Sequence, residues 1–234
     1  MKSIGPVIPG PLQSLGLPGA PEIMPLDLEL TVLSESALSE AAAIQARAFF
    51  DDPLFEFVFP DERDRQERLA WTMRMGLTYG QRFGRVDTTA GTMLGHAVWL
   101  PPGETQIADE RLADAGFVDP ADHMGEEALG RFGAFMEQIA PIHERLVPDP
   151  HWYLMILGVD PPYQGQGVGS ALLQATLARA DAEERPCYLE TAKSRNVAFY
   201  RKHGFDVLEE TDIARGGPHV WLMMRAARSR AMAA

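Results

Sequence analysis

The chain has 234 residues, of which 46% are apolar and 23% are charged, and its formal net charge is −12. This balance is typical of a globular protein, and the acidic surface disfavours binding to nucleic acid or to anionic membranes. A single cysteine excludes an intrachain disulfide, and no apolar run approaches the roughly 18 residues that a transmembrane helix needs. We therefore expect a cytoplasmic protein that binds neither nucleic acid nor membranes.

Residues 1–26 hold six prolines and four glycines, a composition that prevents a helix or a strand ladder. The simpler interpretation is a flexible N-terminal extension, and the alternative is an arm that covers a partner subunit of a homodimer. Residues 27–226 then form a single domain, and residues 227–234 form a C-terminal tail.

The first half of the domain begins with a strand at Leu28–Leu33 and a helix over about Ala37–Phe50 that Ser36 caps. The aromatic stretch Leu54–Phe59 packs in the core under a loop, or it forms one wall of an acceptor pocket. A second helix is predicted over Asp61–Phe83, because its first turn is acidic and its apolar residues recur at helical spacing.

A hairpin follows, with strands at Gly84–Ala90 and Met93–Leu100. The next segments, Gln106–Val118 and Glu126–Val147, have helical periodicity. Pro141 is expected to kink or split the second of these helices.

The last third alternates strands and helices, which favours an α/β fold with a mixed sheet. Its first strand is nearly continuously apolar, as a buried central strand would be. The predicted elements are strand Trp152–Val159, helix Ser170–Glu183, strand Pro186–Glu190, helix Asn196–His203 and strands Phe205–Leu208 and His219–Met224.

A glycine-rich loop joins the first strand of this block to its helix. Backbone N–H groups at a helix N-terminus attract anions, and glycines let a phosphate approach the backbone closely. The Rossmann spacing fails because position 170 is serine, and no Gly-Lys-Ser/Thr follows as a Walker motif requires. The pattern that fits is Gln-x-x-Gly-x-Gly, over Gln164, Gly167 and Gly169, and it predicts a bound pyrophosphate.

This loop resembles the pyrophosphate loop of the GNAT superfamily of N-acetyltransferases. The segment Asn196 to Phe205, with Phe199-Tyr200 and Gly204-Phe205, resembles a second motif of the same superfamily. Within the superfamily, Leu189-Glu190-Thr191 followed by Arg195-Asn196 is similar to puromycin N-acetyltransferases, as is the run Val98–Pro102.

The resemblance implies a central, partly splayed mixed sheet flanked by helices, with acetyl-CoA bound between two parted parallel strands. The parting would begin near Leu157 and Glu190, and a backbone N–H near Val159 would hold the acetyl carbonyl. The residues that the resemblance assigns to the donor are Leu157, Val159, Gln164, Gly165, Gln166, Gly167, Val168, Gly169, Ser170 and Asn196.

Two residues are candidates for proton transfer. By the resemblance, Tyr200 lies near the CoA sulfur and protonates the leaving thiolate, although it could simply be a core aromatic. Glu190, at the end of a central strand, could accept the proton of the amine, or it could pair with Lys193 or Arg195 as a structural ion pair.

Other titratable residues have simpler interpretations. We expect His151 to lie at the surface and His96 to be a packed histidine. The basic residues near the second motif, including Arg201 and Lys202, meet the CoA 3′-phosphate or form a solvated helix face. Cys187 has no basic neighbour that would favour a thiolate, and the histidine spacing indicates no metal site.

The sequence thus predicts an acetyl-CoA-dependent enzyme that acetylates the primary amine of a small molecule by direct attack in a ternary complex. One alternative is acetylation of a protein or peptide amine. The other is an acyl-CoA-binding sensor that catalyses no reaction.

Overall fold

The computed structural model describes residues 28–228 of the chain. The predicted N-terminal extension, at residues 1–26, and most of the predicted tail lie outside the described residues. Within the described range, no helix is both long enough and apolar enough to cross a lipid bilayer.

Seven strands form one mixed sheet in the order β1-β2-β3-β4-β5-β7-β6. Every neighbouring pair is antiparallel except β4 and β5, which are parallel. In chain order the strands are β1 Leu30–Val32, β2 Arg85–Thr89, β3 Gly95–Leu100, β4 Trp152–Val159, β5 Cys187–Thr191, β6 Asp206–Asp212 and β7 His219–Arg225. The predicted mixed α/β fold is confirmed.

Eight α-helices accompany the sheet in the described part of the chain. They are α1 Leu38–Ala48, α2 Pro53–Val58, α3 Glu62–Phe83, α4 Asp109–Asp114, α5 Pro120–Met124, α6 Glu126–Leu146, α7 Val168–Ala182 and α8 Ser194–Lys202. Helices α1 and α3 pack on one face of β2 and β3, and α6 packs on the same face of β5 and β7. Helices α7 and α8 cover the opposite face, so that the sheet is the middle layer of three.

Local chemistry explains where several helices begin and end. The Asp61 carboxylate accepts the backbone N–H of Arg63 at the start of α3, and the Asp52 carboxylate accepts that of Leu54 at the start of α2. Helix α1 begins later than predicted. Its N-cap is Ala37, without a side-chain hydrogen bond, so the predicted Ser36 cap is wrong.

Two predictions for the middle of the chain also need correction. Helix α4 stops at Asp114 because Gly116, at φ +91°, turns the chain and the Phe117 N–H bonds the Leu112 carbonyl. Helix α6 continues through Pro141, from Glu126 to Leu146, so the split, one of the two expected outcomes, is wrong; Ile139 and Ile142 on either side of the proline pack against the sheet.

Candidate active site

The sheet opens between its two parallel strands. Strands β4 and β5 pair only at Trp152 with Cys187 and at Tyr153 with Tyr188. Beyond these two pairs the strands part, which is earlier along the chain than the expected positions at Leu157 and Glu190. The parted backbone edges leave room for a ligand that carries its own amide groups.

Helix α1 packs against β4, one of the two strands that border this opening. The Gln45 side-chain amide donates to the Gly158 carbonyl at 3.2 Å and to Nδ1 of His96 at 3.0 Å. His96 is fully buried, and burial lowers its pKa to about 4, so the ring is neutral and accepts this bond. As predicted, His96 is a packed residue, and it helps to fix the end of β4.

The glycine loop between β4 and α7 has the geometry of an anion site. Gly165 and Gly167 have φ values of +75° and +90°, and a Cβ atom on either would meet no other atom within 4 Å. Gly167 is the N-cap of α7, and the first helical hydrogen bond from this turn is donated by Ala171 to the Gly167 carbonyl. The N–H groups of Val168, Gly169 and Ser170 therefore have no partner within the helix and can bind phosphate oxygens.

Side chains brace this loop without covering it. The amide of Gln164 donates to the Val159 carbonyl at 2.9 Å, and that of Gln166 donates to the Pro162 carbonyl at 2.9 Å. The resemblance assigns both glutamines to the donor, and in the structure they hold the shape of the loop. On its other side, the Ser170 hydroxyl lies 3.0 Å from Nε2 of His203 on α8.

A cavity of about 450 Å³ extends from the parted strands to α3 and α6. Its walls are mainly aromatic and aliphatic, and they include Phe49, Phe55, Met73, Phe117, Phe132 and Met136. The predicted site residues Leu157, Glu190, Asn196 and Tyr200 all line it, whereas Val159 and the loop Gln164–Ser170 lie outside its lining. The Asn196 amide is bonded to the Thr191 hydroxyl at 3.3 Å.

The charged groups of this cavity all have one sign. Asp52, Asp109, Glu137 and Glu190 belong to its lining, and among the described residues no lysine or arginine does. An apolar cavity with carboxylates in its wall favours a ligand that combines an apolar body with a positive charge.

Glu190 lies at the end of β5 with its side chain only 10% exposed. Burial raises the pKa of its carboxyl to about 7, against a smaller opposite influence from the nearby hydroxyls of Tyr153 and Tyr188. The Tyr188 hydroxyl has no hydrogen-bond partner in the described part of the chain, so we attribute its influence to its dipole. A carboxyl with this pKa can both accept and release a proton near neutral pH.

The alternative ion pair of Glu190 with Lys193 or Arg195 is wrong. The Lys193 ammonium lies 2.6 Å from the Asp51 carboxylate, and the Arg195 guanidinium lies 3.3 Å from it. These two cations therefore connect the α1–α2 loop to the start of α8, and Glu190 keeps its place in the cavity wall.

Tyr200 is 6% exposed and lies where α8 faces the cavity. Burial raises the pKa of its hydroxyl, and the charge of Asp52 raises it further. The hydroxyl therefore keeps its proton at neutral pH and can act as a hydrogen-bond donor.

Asp52 is a functional candidate that the sequence analysis did not identify. Its side chain lines the cavity, the residue is 6% exposed, and burial raises the pKa of its carboxyl to about 6. The sequence signal was an aspartate directly before Pro53 and next to an aromatic stretch, but that pattern also describes an ordinary helix start. The aromatic stretch itself supplies Leu54 and Phe55 to the cavity wall.

Two further titratable residues, His151 and Cys187, are buried. His151 was expected at the surface, but it is 4% exposed and its Nε2 lies 2.7 Å from Nε2 of His143. Cys187 is fully buried, and burial raises the pKa of its thiol to about 12, which excludes a thiolate nucleophile at neutral pH. Within residues 28–228, no group of three or more His, Cys, Asp or Glu side chains could hold a metal ion.

Comparison with known proteins agrees with this geometry. Residues 129–207, from α6 through the glycine loop to the start of β6, match the family model described as "Acetyltransferase (GNAT) domain". An uncharacterized N-acetyltransferase of Schizosaccharomyces pombe is 25% identical over 173 residues, which cover 71% of this chain and 69% of that protein.

Solved structures show the same fold. The structure titled histone acetyltransferase HPA2 and related acetyltransferase, from Corynebacterium glutamicum, has a TM-score of 0.63 at 23% identity and covers 86% of this chain and 97% of that one. Arylalkylamine N-acetyltransferase 2 from Aedes aegypti has a TM-score of 0.56 at 16% identity and covers 86% of this chain and 99% of that one. The finer resemblance to puromycin N-acetyltransferases is not shown by these matches and stays a prediction.

The matched segment, residues 129–207, spans the parted strands, the glycine loop and the wall that carries Glu190 and Tyr200; it matches a GNAT acetyltransferase domain, and the protein is an N-acetyltransferase enzyme.

Proposed function

We propose that this enzyme transfers the acetyl group of acetyl-CoA to the primary amine of a small molecule with an apolar body. The observation that carries the proposal is the cavity of about 450 Å³, apolar in most of its wall and charged only by carboxylates. Its volume lies within the roughly 300–1,000 Å³ of pockets that bind small molecules.

The donor side of the proposal rests on the parted strands and the glycine loop. Acetyl-CoA supplies the acetyl thioester. The N–H groups of Val168, Gly169 and Ser170 bind its pyrophosphate, and the free edges of β4 and β5 pair with the amides of its pantetheine arm.

On the acceptor side, Glu190 takes a proton from the ammonium form of the substrate, so that a neutral amine can attack the thioester. As the C–N bond forms and the C–S bond breaks, Tyr200 donates its proton to the leaving sulfur, and the second proton lost by the amine nitrogen restores the Tyr200 hydroxyl. Asp52 holds the positive charge of the incoming ammonium. Attack is direct, since Cys187 is too deeply buried and too weakly acidic to carry an acyl group.

The position of α6 favours a small acceptor over a peptide. Leu129, Phe132, Phe135 and Met136 of this helix line the cavity. An extended peptide would need an open groove, whereas these four side chains form part of the cavity wall.

The test is thiol release from acetyl-CoA with a panel of primary amines that have aromatic or aliphatic bodies, and with polyamines, amino acids and short peptides. We expect the highest kcat/KM for an amine with an apolar body. A preference for peptides would support the peptide alternative and refute the small-molecule assignment. Donor binding without turnover of any amine would support the sensor alternative.

Helix α6 offers a matched pair of variants for the same test. Gly133 lines the cavity and Gly130, one turn earlier, does not, and a Cβ atom on either would meet no other atom within 4 Å. Gly133→Leu should fill part of the cavity and lower kcat/KM for the amine at least about tenfold, since a methylene-scale misfit in an apolar site costs about 1–3 kcal/mol. Gly130→Leu should leave it unchanged. Equal effects of the two variants would contradict the acceptor site.

A further inference from the structure

Two histidines lie behind Glu190. His143, on α6, and His151, just before β4, have their Nε2 atoms 2.7 Å apart. The His143 ring stacks on the Tyr188 ring with a centroid distance of 3.9 Å and an angle of 16°. The other nitrogen of His143, Nδ1, lies 3.9 Å from Oε1 of Glu190.

The hydrogen bonds of this pair determine which nitrogens carry protons. Nδ1 of His151 lies 2.7 Å from the backbone carbonyl oxygen of Asp149. A carbonyl oxygen can only accept, so His151 carries its proton on Nδ1, and in the neutral ring its Nε2 is an acceptor. His143 must then donate from its own Nε2, which leaves Nδ1 of His143 without a proton.

Both rings are neutral in this arrangement. Burial lowers the pKa of His143 to about 3 and also lowers the pKa of His151, because a charge on either ring would lack solvation. His143 thus turns an unprotonated nitrogen, and not an N–H group, toward the Glu190 carboxyl.

This orientation affects the two forms of Glu190 differently. The carboxylate faces a lone pair and gains no hydrogen bond from it. The protonated carboxyl can donate to Nδ1 of His143 once the 3.9 Å separation closes by about 1 Å, as catalytic hydrogen bonds often do when substrate binds.

We propose that the Asp149 carbonyl and His151 lock His143 in the tautomer that makes Glu190 a stronger base. His143 and His151 are positioning residues, since they act on the substrate amine only through Glu190. This inference rests on the proposed function, in which Glu190 accepts the proton of the amine.

Other titratable groups face the same place from the neighbouring elements. The hydroxyls of Tyr153 on β4 and Tyr188 on β5 favour the carboxylate form of Glu190 and so oppose the histidine pair. Glu209 on β6 acts on Tyr188, but its charge is compensated by Arg145 of α6 at 2.7 Å. The remaining groups of α6 on this side are Glu137, which lines the cavity, and Glu144, which pairs with Gln106.

The direct test is a long-range ¹H–¹⁵N spectrum of the protein labelled at its six histidines, which reports the tautomer of each ring. Single His→Gln variants assign the signals. At pH 7 we expect His151 as the Nδ1–H tautomer and His143 as the Nε2–H tautomer, both neutral. An imidazolium signal from either ring, or an Nδ1–H signal from His143, would overturn the proposal.

A kinetic test measures the effect on the base. His143→Phe keeps an aromatic ring stacked on Tyr188 but removes the nitrogen that faces Glu190. It should lower the midpoint of the acidic limb in the plot of kcat against pH by about one pH unit. If that variant does not fold, His151→Phe leaves His143 without its lock and should move the midpoint in the same direction. The matched control is His219→Gln, because His219 lies at the exposed end of β7 and pairs with Asp212. A midpoint that moves with neither variant would also overturn the proposal.

The two tests separate this inference from the proposed function. The tautomers are measured without substrate, so an enzyme that acetylates no amine of the panel would refute the proposed function alone. An active enzyme with the wrong tautomer at His143 would refute the histidine lock alone.

Discussion

Replacing Gly158 by alanine tests how closely α1 packs against the strand that borders the donor site. A Cβ atom at this position would overlap Oε1 of Gln45 and lie 2.9 Å from its Cδ and 3.0 Å from Cε2 of Phe49. Gln45 is fully buried, so its side chain cannot move aside without breaking its hydrogen bonds to His96 and to the Gly158 carbonyl.

The cost follows from these contacts. Two lost hydrogen bonds cost about 1 kcal/mol each, and an added methyl group in a filled core costs about 1–3 kcal/mol. The smaller entropy of the unfolded alanine chain offsets about 0.4–1 kcal/mol. We therefore expect the free energy of unfolding to fall by roughly 2–5 kcal/mol.

The assay is equilibrium unfolding in urea, with Gly130→Ala as the matched control. A Cβ atom on Gly130 meets no other atom within 4 Å, and the residue lies within helix α6. Alanine there should raise the free energy of unfolding by about 0.5–1 kcal/mol, because it has the higher helix propensity. If Gly158→Ala were as stable as the wild type, the packing of Gln45 against β4 would be refuted.

Three further predictions concern catalysis and the donor. Glu190→Gln should lower kcat by about 10²–10⁴ and remove the acidic limb of the plot of kcat against pH. The pKa of Glu190 is about 7, so the wild-type base becomes ionised, and kcat rises, as the pH increases through 7. An acidic limb that is unchanged in the variant would show that another group titrates. Tyr200→Phe should lower kcat by about 10–10³ with little change in the Kd for acetyl-CoA, and an unaffected kcat in the thiol-release assay would show that the sulfur is protonated by water. Gly167→Asp should weaken acetyl-CoA binding at least about a hundredfold, because a carboxylate would lie beside the N–H groups of the loop and repel the pyrophosphate. The Kd is measured by calorimetry, and an unchanged Kd would contradict the assignment of the loop to the pyrophosphate.

The sheet could be predicted from the sequence because its signals are local. The apolar run of β4 and the glycines after it appear in adjacent residues, and the strand, loop and helix follow in that order. The middle helices were less predictable. The end of α4 depends on a single glycine, Gly116, and α5 is a five-residue helix with little periodicity.

The surroundings of the candidate base could not be predicted, because contacts between distant segments determine them. Lys193 and Arg195 are close to Glu190 in sequence, yet Asp51, about 140 residues earlier, is their partner. His143 and His151 belong to different elements, and no spacing rule relates a histidine on α6 to one before β4. Asp52 precedes Pro53 as the N-cap of an ordinary helix would, and its burial depends on segments that are distant in the sequence.

Only two residue pairs join β4 to β5, so the sheet consists of a four-stranded part and a three-stranded part that are weakly connected. A ligand that pairs with both free edges would complete the sheet, so its binding energy would add to the stability of the fold. At a concentration of one hundred times its Kd, such a ligand raises the free energy of unfolding by about 2.7 kcal/mol. In hydrogen-exchange measurements, this protection would concentrate in those amides of Leu154–Leu157 that point away from β3, so their exchange rates would report donor occupancy.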